Sequence, residues 1–183
     1  MNNEMRFGKS VEYISNEIES ILDKVDIKRV KDALKLFMNA KRIFVYGTGR
    51  SGLVGKAFAI RLVHLGFQTF VIGETITAPV QKDDLVVLIS GSGETIPVTM
   101  TAEIARRLGA KIISITANPD SHIARFADVI ISLSTGEKDP DLAPLGTLFE
   151  ASAWIFLDGL VAELMAMKGE DEKKMKKRHA TLE

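Results

Sequence analysis

Apolar residues recur along the first forty positions at helical spacing. Val11, Ile14, Ile18 and Leu22 fall three or four apart with Ile21 beside them, and Val30, Leu34, Phe37 and Met38 share a second face. Residues 11–22 and 27–40 are therefore expected to form amphipathic helices. From residue 43 the pattern changes. Short runs at 43–46, 69–72, 85–89, 112–116 and 129–133 are rich in Val and Ile, and several are unbroken by polar residues. Such runs suit strands covered on both faces. Between them, helical periodicity fills 51–65, 95–108, 121–126 and 147–167. This alternation predicts an α/β fold, a three-layer αβα sandwich whose five-stranded parallel sheet has right-handed crossovers.

No composition shift marks an internal boundary. The chain reads as one domain: N-terminal helices in 1–40, the α/β core in 41–167 and a helical tail in 168–183. Residues 134–146, with Pro140 and Pro144, read as a long ordered loop before the last large helix. The stretch 170–178 begins acidic and ends basic, an order that suits a solvated helix and its dipole.

Bulk composition narrows the classes. The 183 residues carry 24 basic and 24 acidic side chains, so net charge does not drive binding to nucleic acid or a membrane surface. No cysteine is present, which removes disulfides, thiolate catalysis and cysteine-ligated metals. The N-terminus lacks the apolar core of a signal peptide. The most apolar long stretch, 151–167, carries Asp158 and Glu163 and is not expected to span a bilayer. A cytoplasmic location is expected.

Two strand–loop–helix junctions carry the chemistry. The first is Gly47-Thr48-Gly49-Arg50-Ser51-Gly52 and the second is Ser90-Gly91-Ser92-Gly93-Glu94-Thr95. Each places backbone N–H groups at a helix N-terminus, where an anion is favoured. The first loop matches the dinucleotide pattern, and Glu74 stands at the right distance to take a ribose hydroxyl. Glycines at such a turn also serve close helix–strand packing. Arg50 and the hydroxyls of Thr48 and Ser51 suit a sugar phosphate, and no second domain is evident to hold a hydride acceptor. Without a ligand, Arg50 would simply pair with a surface carboxylate. The second loop offers three hydroxyls and two glycines but no Walker lysine, a pattern suited to one phosphate monoester. Capping by Ser92 or Thr95 would account for one hydroxyl but not three.

These loops, with Arg61-Leu62-Val63-His64, Gly73-Glu74-Thr75, Pro144-Leu145-Gly146-Thr147-Leu148-Phe149-Glu150 and Lys177-Arg178-His179, resemble the sugar isomerase (SIS) domain. Within it they resemble the 6-phospho-3-hexuloisomerases, over most of the chain from about residue 41. The resemblance implies a flavodoxin-like five-stranded parallel sheet, a homotetramer and active sites near subunit contacts. It also implies interconversion of 3-hexulose 6-phosphate and fructose 6-phosphate without a metal or other cofactor. The expected pathway partner is a hexulose-phosphate synthase, which condenses formaldehyde with ribulose 5-phosphate in the ribulose monophosphate pathway. Leu145 stands where the family usually has methionine, a swap of similar volume expected to be neutral.

Moving a carbonyl between C3 and C2 is a proton transfer through a cis-enediolate, which needs a base and a stabilised oxyanion. Glu150 opens the last large helix, at the rim where open α/β sheets bind ligands. Its residue context fits either a base or an ordinary first-turn glutamate; the resemblance favours the base. Three histidines exist. His122 reads as a helix-start surface residue. His64 lies on the apolar face of its helix and fits a packed or interface role, and His179 sits in a polar tail. The resemblance makes His179, then His64, candidates for the proton shuttle. Phosphate binding would fall to Ser90, Ser92 and Thr95, with Ser51 and the glycines Gly47 and Gly49 close by. Arg50 would hold substrate oxygens, and Glu74 and Thr75 would line the sugar or brace Arg50. The rival readings are a non-catalytic sugar-phosphate sensor, another aldose–ketose phosphate isomerase and a nicotinamide-linked enzyme.

Overall fold

A computed structural model describes residues 5–181. Two helices, α1 (Arg6–Leu22) and α2 (Ile27–Asn39), precede the sheet. They are followed by β1 (Ile43–Gly47), α3 (Gly49–His64), β2 (Thr69–Val71), β3 (Leu85–Ile89), α4 (Ile96–Arg107) and β4 (Lys111–Thr116). The chain then forms α5 (His122–Phe126), β5 (Val129–Ser132), α6 (Thr147–Met167) and α7 (Glu172–Lys177). All five strands are parallel, in the order β2-β1-β3-β4-β5.

Alternate strand residues feed two cores, because successive side chains point to opposite faces. Ile43, Val45, Leu85, Val87, Ile89, Ile113 and Ile115 pack with α2, α3 and α6. Phe44, Val86, Leu88 and Ile112 face α4 and α5. Strand β3 is buried along its whole length, which explains its unbroken apolar run. The three layers and all five strands are those read from the sequence.

The strand order has a functional consequence. From β1 the chain moves outward to β2, then returns past β1 to β3 and continues the other way. The carboxyl ends of β1 and β3 therefore flank the point where winding reverses, the usual binding crevice of an open α/β sheet. Both glycine loops leave the sheet there. No helix connects β2 to β3. Residues 72–84 run as a loop, anchored where buried Asp84 accepts from Arg42 Nε at 2.9 Å and Nη2 at 2.6 Å.

Helix boundaries differ slightly from the sequence reading. Helix α3 starts at Gly49 rather than residue 51, which puts Arg50 and Ser51 in its first turn. The tail helix α7 is exposed, and the Asp171 side chain caps it by accepting from the Lys174 N–H at 2.7 Å. Among the described residues no helix is long and apolar enough to cross a membrane.

Candidate functional site

The first loop is shaped by close backbone contacts. A Cβ on Gly52 would lie 2.7 Å from the Gly47 carbonyl oxygen, and one on Gly47 would lie 2.9 Å from the Ile89 carbonyl oxygen. Gly49 sits at φ +55°, where side chains are disfavoured. These glycines let α3 start directly against the ends of β1 and β3. Gly47 and Gly52 are accounted for by packing and Gly49 by its backbone conformation, and the dinucleotide reading gains nothing from them.

The serine loop is braced from within and beneath. Ser90 Oγ accepts the Gly93 N–H at 3.1 Å and lies 3.1 Å from Thr95 Oγ1. Thr95 occupies the N-cap position of α4 but makes no capping bond with its side chain. Ser92 Oγ accepts the Glu94 N–H at 3.2 Å, and Glu94 accepts from the His122 N–H at 2.8 Å. Below the loop, the Ala117 N–H reaches the Gly91 carbonyl at 3.0 Å, and Thr116 Oγ1 lies 3.2 Å from the same oxygen. Gly93, at φ +68°, packs so tightly on Ser121 that a Cβ would lie 2.0 Å from its Oγ. Of the three predicted hydroxyls, Ser92 lines the cavity, while Ser90 and Thr95 bond to each other.

Helix α6 brings Glu150 to this loop. Gly91 admits the Phe149 ring, which would lie 3.1 Å from a Cβ there. Glu150 folds back over the N-cap residue Gly146, where a Cβ would meet its carboxylate at 3.0 Å. The carboxylate thus lies at the positive end of the helix dipole. Its other face forms an ion pair with Arg50 Nε. The Glu150 side chain is 13% exposed and that of Arg50 68%, so the pair screens the acid from water on one side only. A cavity of about 290 Å³ joins the two loops, lined by Ser51, Ser92, Lys138, Gly146, Phe149 and Glu150.

Other predicted site residues fall elsewhere. Glu74 is exposed and binds Lys56 Nζ at 2.6 Å, so it does not brace Arg50; Glu150 does. The reason is position: Lys56 lies further along α3, level with the exposed loop after β2, whereas Arg50 faces α6. Thr75 is exposed in that same loop. His64 ends α3, roughly 21 Å from Arg50 on a helix rising about 1.5 Å per residue. Its ring stacks on His179 with centroids 5.0 Å apart. Arg178 fixes that arrangement by donating to the His64 carbonyl at 3.0 Å and to Glu170 at 2.8 Å. The two histidines therefore meet each other and not the Glu150 of their own chain. His122 is exposed at the start of α5, as expected. Sequence reading passed over Lys138, whose ammonium donates to the Leu145 carbonyl inside the cavity.

A groove between α3 and α6 links the two regions. Beside Arg50 and Glu150, a space of about 420 Å³ is lined by Leu53, Val54, Trp154 and Ile155. It continues, past Val54 and Trp154, into a space of about 270 Å³ beside Arg61, His64, Asp158 and His179.

A parallel sheet with a hydroxyl-rich loop and a carboxylate at its switch point is a doubly wound α/β domain with a candidate anion-binding crevice. The SIS domain model matches residues 36–153, and the chain belongs to the SIS domain family. It is 40% identical to the 3-hexulose-6-phosphate isomerase of Methanocaldococcus jannaschii, over 91% of this chain and 84% of that one. It is 36% identical to the enzyme of the same name from Bacillus subtilis, over 96% and 100%. A crystal structure of a Methanococcus jannaschii protein, from which 3-hexulose-6-phosphate isomerase function was inferred, superposes with TM-score 0.87. That pair is 37% identical, with 96% of this chain and 99% of the other covered.

Proposed function

We propose that this chain is an isomerase interconverting 3-hexulose 6-phosphate and fructose 6-phosphate, with Glu150 as the base. One observation carries the reading: a largely covered carboxylate, held by Arg50 and a helix N-terminus, shares a cavity with the serine loop. The phosphate would sit on the serine loop, with Ser92 as its direct hydroxyl ligand and Ser51 beside it. Ser90 and Thr95 would hold the loop in shape or turn to the anion when it binds. Arg50 would orient both the base and a sugar oxygen. The proton moves between neighbouring carbons and no electrons are exchanged, so these groups suffice in type.

The histidines enter through assembly. Leu53, Ile60, Val63, Trp154 and Ile155 are exposed along α3 and α6 at 43–62%. A two-fold contact centred midway along α3 would bury this face and bring the partner's His64 toward Glu150, because a two-fold axis exchanges the ends of the helix. The proton shuttle would then be a histidine supplied in trans, with His179 stacked behind it. A homotetramer would pair two such dimers. We infer a cytoplasmic protein that acts downstream of a hexulose-phosphate synthase fixing formaldehyde.

The test is carbon-bound proton exchange in deuterated water. Protein is incubated with fructose 6-phosphate alone and the sugar followed by NMR. Formation of 3-hexulose 6-phosphate that is lost in Glu150→Gln supports the reading. Near-normal turnover in Glu150→Gln removes Glu150 as base, and saturable binding without a new sugar turns the reading toward a sensor.

A further inference from the structure

Lys138 is the one basic side chain, among the described residues, that lines the cavity shared by Ser92 and Glu150. Arg50 lies on the other side of Glu150, in the apolar groove. The ammonium of Lys138 donates to the carbonyl of Leu145. Leu145 precedes Gly146, the residue against which the Glu150 carboxylate rests at 3.0 Å from a would-be Cβ. The cation is therefore tethered to the residue next to the one on which the Glu150 carboxylate rests.

Leu145 adds a second observation. It is the one non-glycine residue at positive φ (51°) among those described, and it is 88% exposed. A leucine in this region is disfavoured, and no burial of its side chain repays that. What the conformation does provide is a carbonyl for Lys138 beside the N-terminus of α6. An ammonium has three donors, and one is spent on this carbonyl.

We propose that Lys138 is a catalytic residue, donating a hydrogen bond to the substrate oxygen that becomes negative as Glu150 takes the proton. The inference rests on the isomerase reading of the site. With the carbonyl at C2, Glu150 removes the C3 proton. The C–H electron pair becomes the C2–C3 double bond, and the C2 carbonyl pair moves onto its oxygen. That oxygen is the acceptor for Lys138. The C3 hydroxyl proton then passes to the C2 oxygen through the shuttling histidine of the neighbouring copy, the carbonyl re-forms at C3, and Glu150 returns its proton to C2. A fixed cation at the developing charge contributes more in a partly dry cavity than in water.

Turnover of fructose 6-phosphate by wild type, Lys138→Met, Lys138→Arg and the double variant Lys138→Met/Leu145→Gly tests this, with inhibition by inorganic phosphate measured for each. Loss of about 10²-fold or more in kcat for Lys138→Met, partial recovery with arginine and an unchanged inhibition constant for phosphate are expected. The unchanged phosphate constant also shows that the site has kept its fold. Recovery of turnover in the double variant overturns the proposal, because glycine adopts this φ freely and needs no lysine to hold it. A raised KM with a parallel loss of phosphate inhibition and normal kcat also overturns it, by moving the ammonium to the phosphate. Normal turnover in Lys138→Met removes the lysine alone, whereas a wild type that does not turn over fructose 6-phosphate removes the isomerase reading with it.

Discussion

Gly52→Ala tests whether the first loop's glycines are there for packing. The added methyl would lie 2.7 Å from the Gly47 carbonyl oxygen and 3.1 Å from its carbon. Both are backbone atoms at the end of β1, so no side chain can rotate away. Restoring an ordinary carbon–oxygen contact requires α3 to retreat by roughly half an ångström or more. Overpacking of this kind costs about 1–3 kcal/mol, against which alanine returns at most about 1 kcal/mol of helix propensity. Because the contact is with backbone that cannot yield, the upper part of that range applies, about 2–3 kcal/mol, and the expected net loss is about 1–2 kcal/mol. For a chain of this length that lowers Tm by roughly 2–8 °C. Gly55→Ala is the internal control. Its Cβ would meet Val45 Cγ1 at 3.1 Å and Ile89 Cδ1 at 3.4 Å, both ends of side chains that can yield. Its propensity gain should nearly cancel its strain. Denaturant titration and thermal melting of both variants, with kcat for each, decide the matter. A shift of α3 also moves Arg50 off Glu150, so Gly52→Ala should lose turnover beyond what its melting explains. Equal stability of the two variants would refute the steric account and reopen a ligand-binding reason for Gly52.

Ser92→Ala should raise KM about 10- to 100-fold with little change in kcat, the usual worth of one hydrogen bond to a charged group. Unchanged affinity would displace the phosphate from this loop. Asp128→Asn probes acid stability at the far end of the sheet. Burial raises this acid's pKa, but hydrogen bonds from Lys111 and the Ile112 N–H and the charges of Lys111 and Arg106 outweigh that and hold it below the ordinary carboxylate value. Its stabilisation is therefore present above pH about 4 and is lost as pH falls through the lowered folded value. Urea midpoints should fall in Asp128→Asn at pH 7 and converge with wild type in strong acid; a constant gap across that range would contradict the assignment.

The sheet was legible because its signals are local. An apolar run such as 85–89 reports burial on both faces wherever it sits in the chain. The two loops were legible as strand-to-helix turns for the same reason, since glycines cluster where a helix starts directly against a strand end. What the sequence hid are relations between distant segments. Nothing near Glu74 says that it reaches Lys56 rather than Arg50, because that depends on which way α3 presents each side chain. Lys138 was passed over as one charge in a polar loop, and only the closure of residues 134–146 onto α6 makes it part of a cavity. A basic residue inside a Pro-containing loop that leads into a helix bearing a candidate acid was the available signal.

The histidines are the instructive case, because sequence and structure pull apart over them. Motif resemblance nominates His64 and His179, yet within one chain His64 stands roughly 21 Å along α3 from Arg50 and His179 is stacked on it. No side chain spans that distance, so a histidine acting at Glu150 must come from another copy. Mixing two inactive variants separates the possibilities. Glu150→Gln and His64→Asn each damage one partner of the reaction but leave the exposed α3–α6 face intact. If the site is built in trans, a random mixed dimer carries both lesions in one site and neither in the other. Co-refolded equimolar variants should then recover about a quarter of wild-type turnover, since about half the dimers are mixed and each holds one intact site of two. Recovery should vanish when Ile60→Glu, which buries a charge only if the face is paired, is added to both chains. Absence of recovery in chains that sediment as mixed dimers would show that His64 serves no neighbouring Glu150, and the stacked pair with His179 would then be explained by its own packing beneath α3.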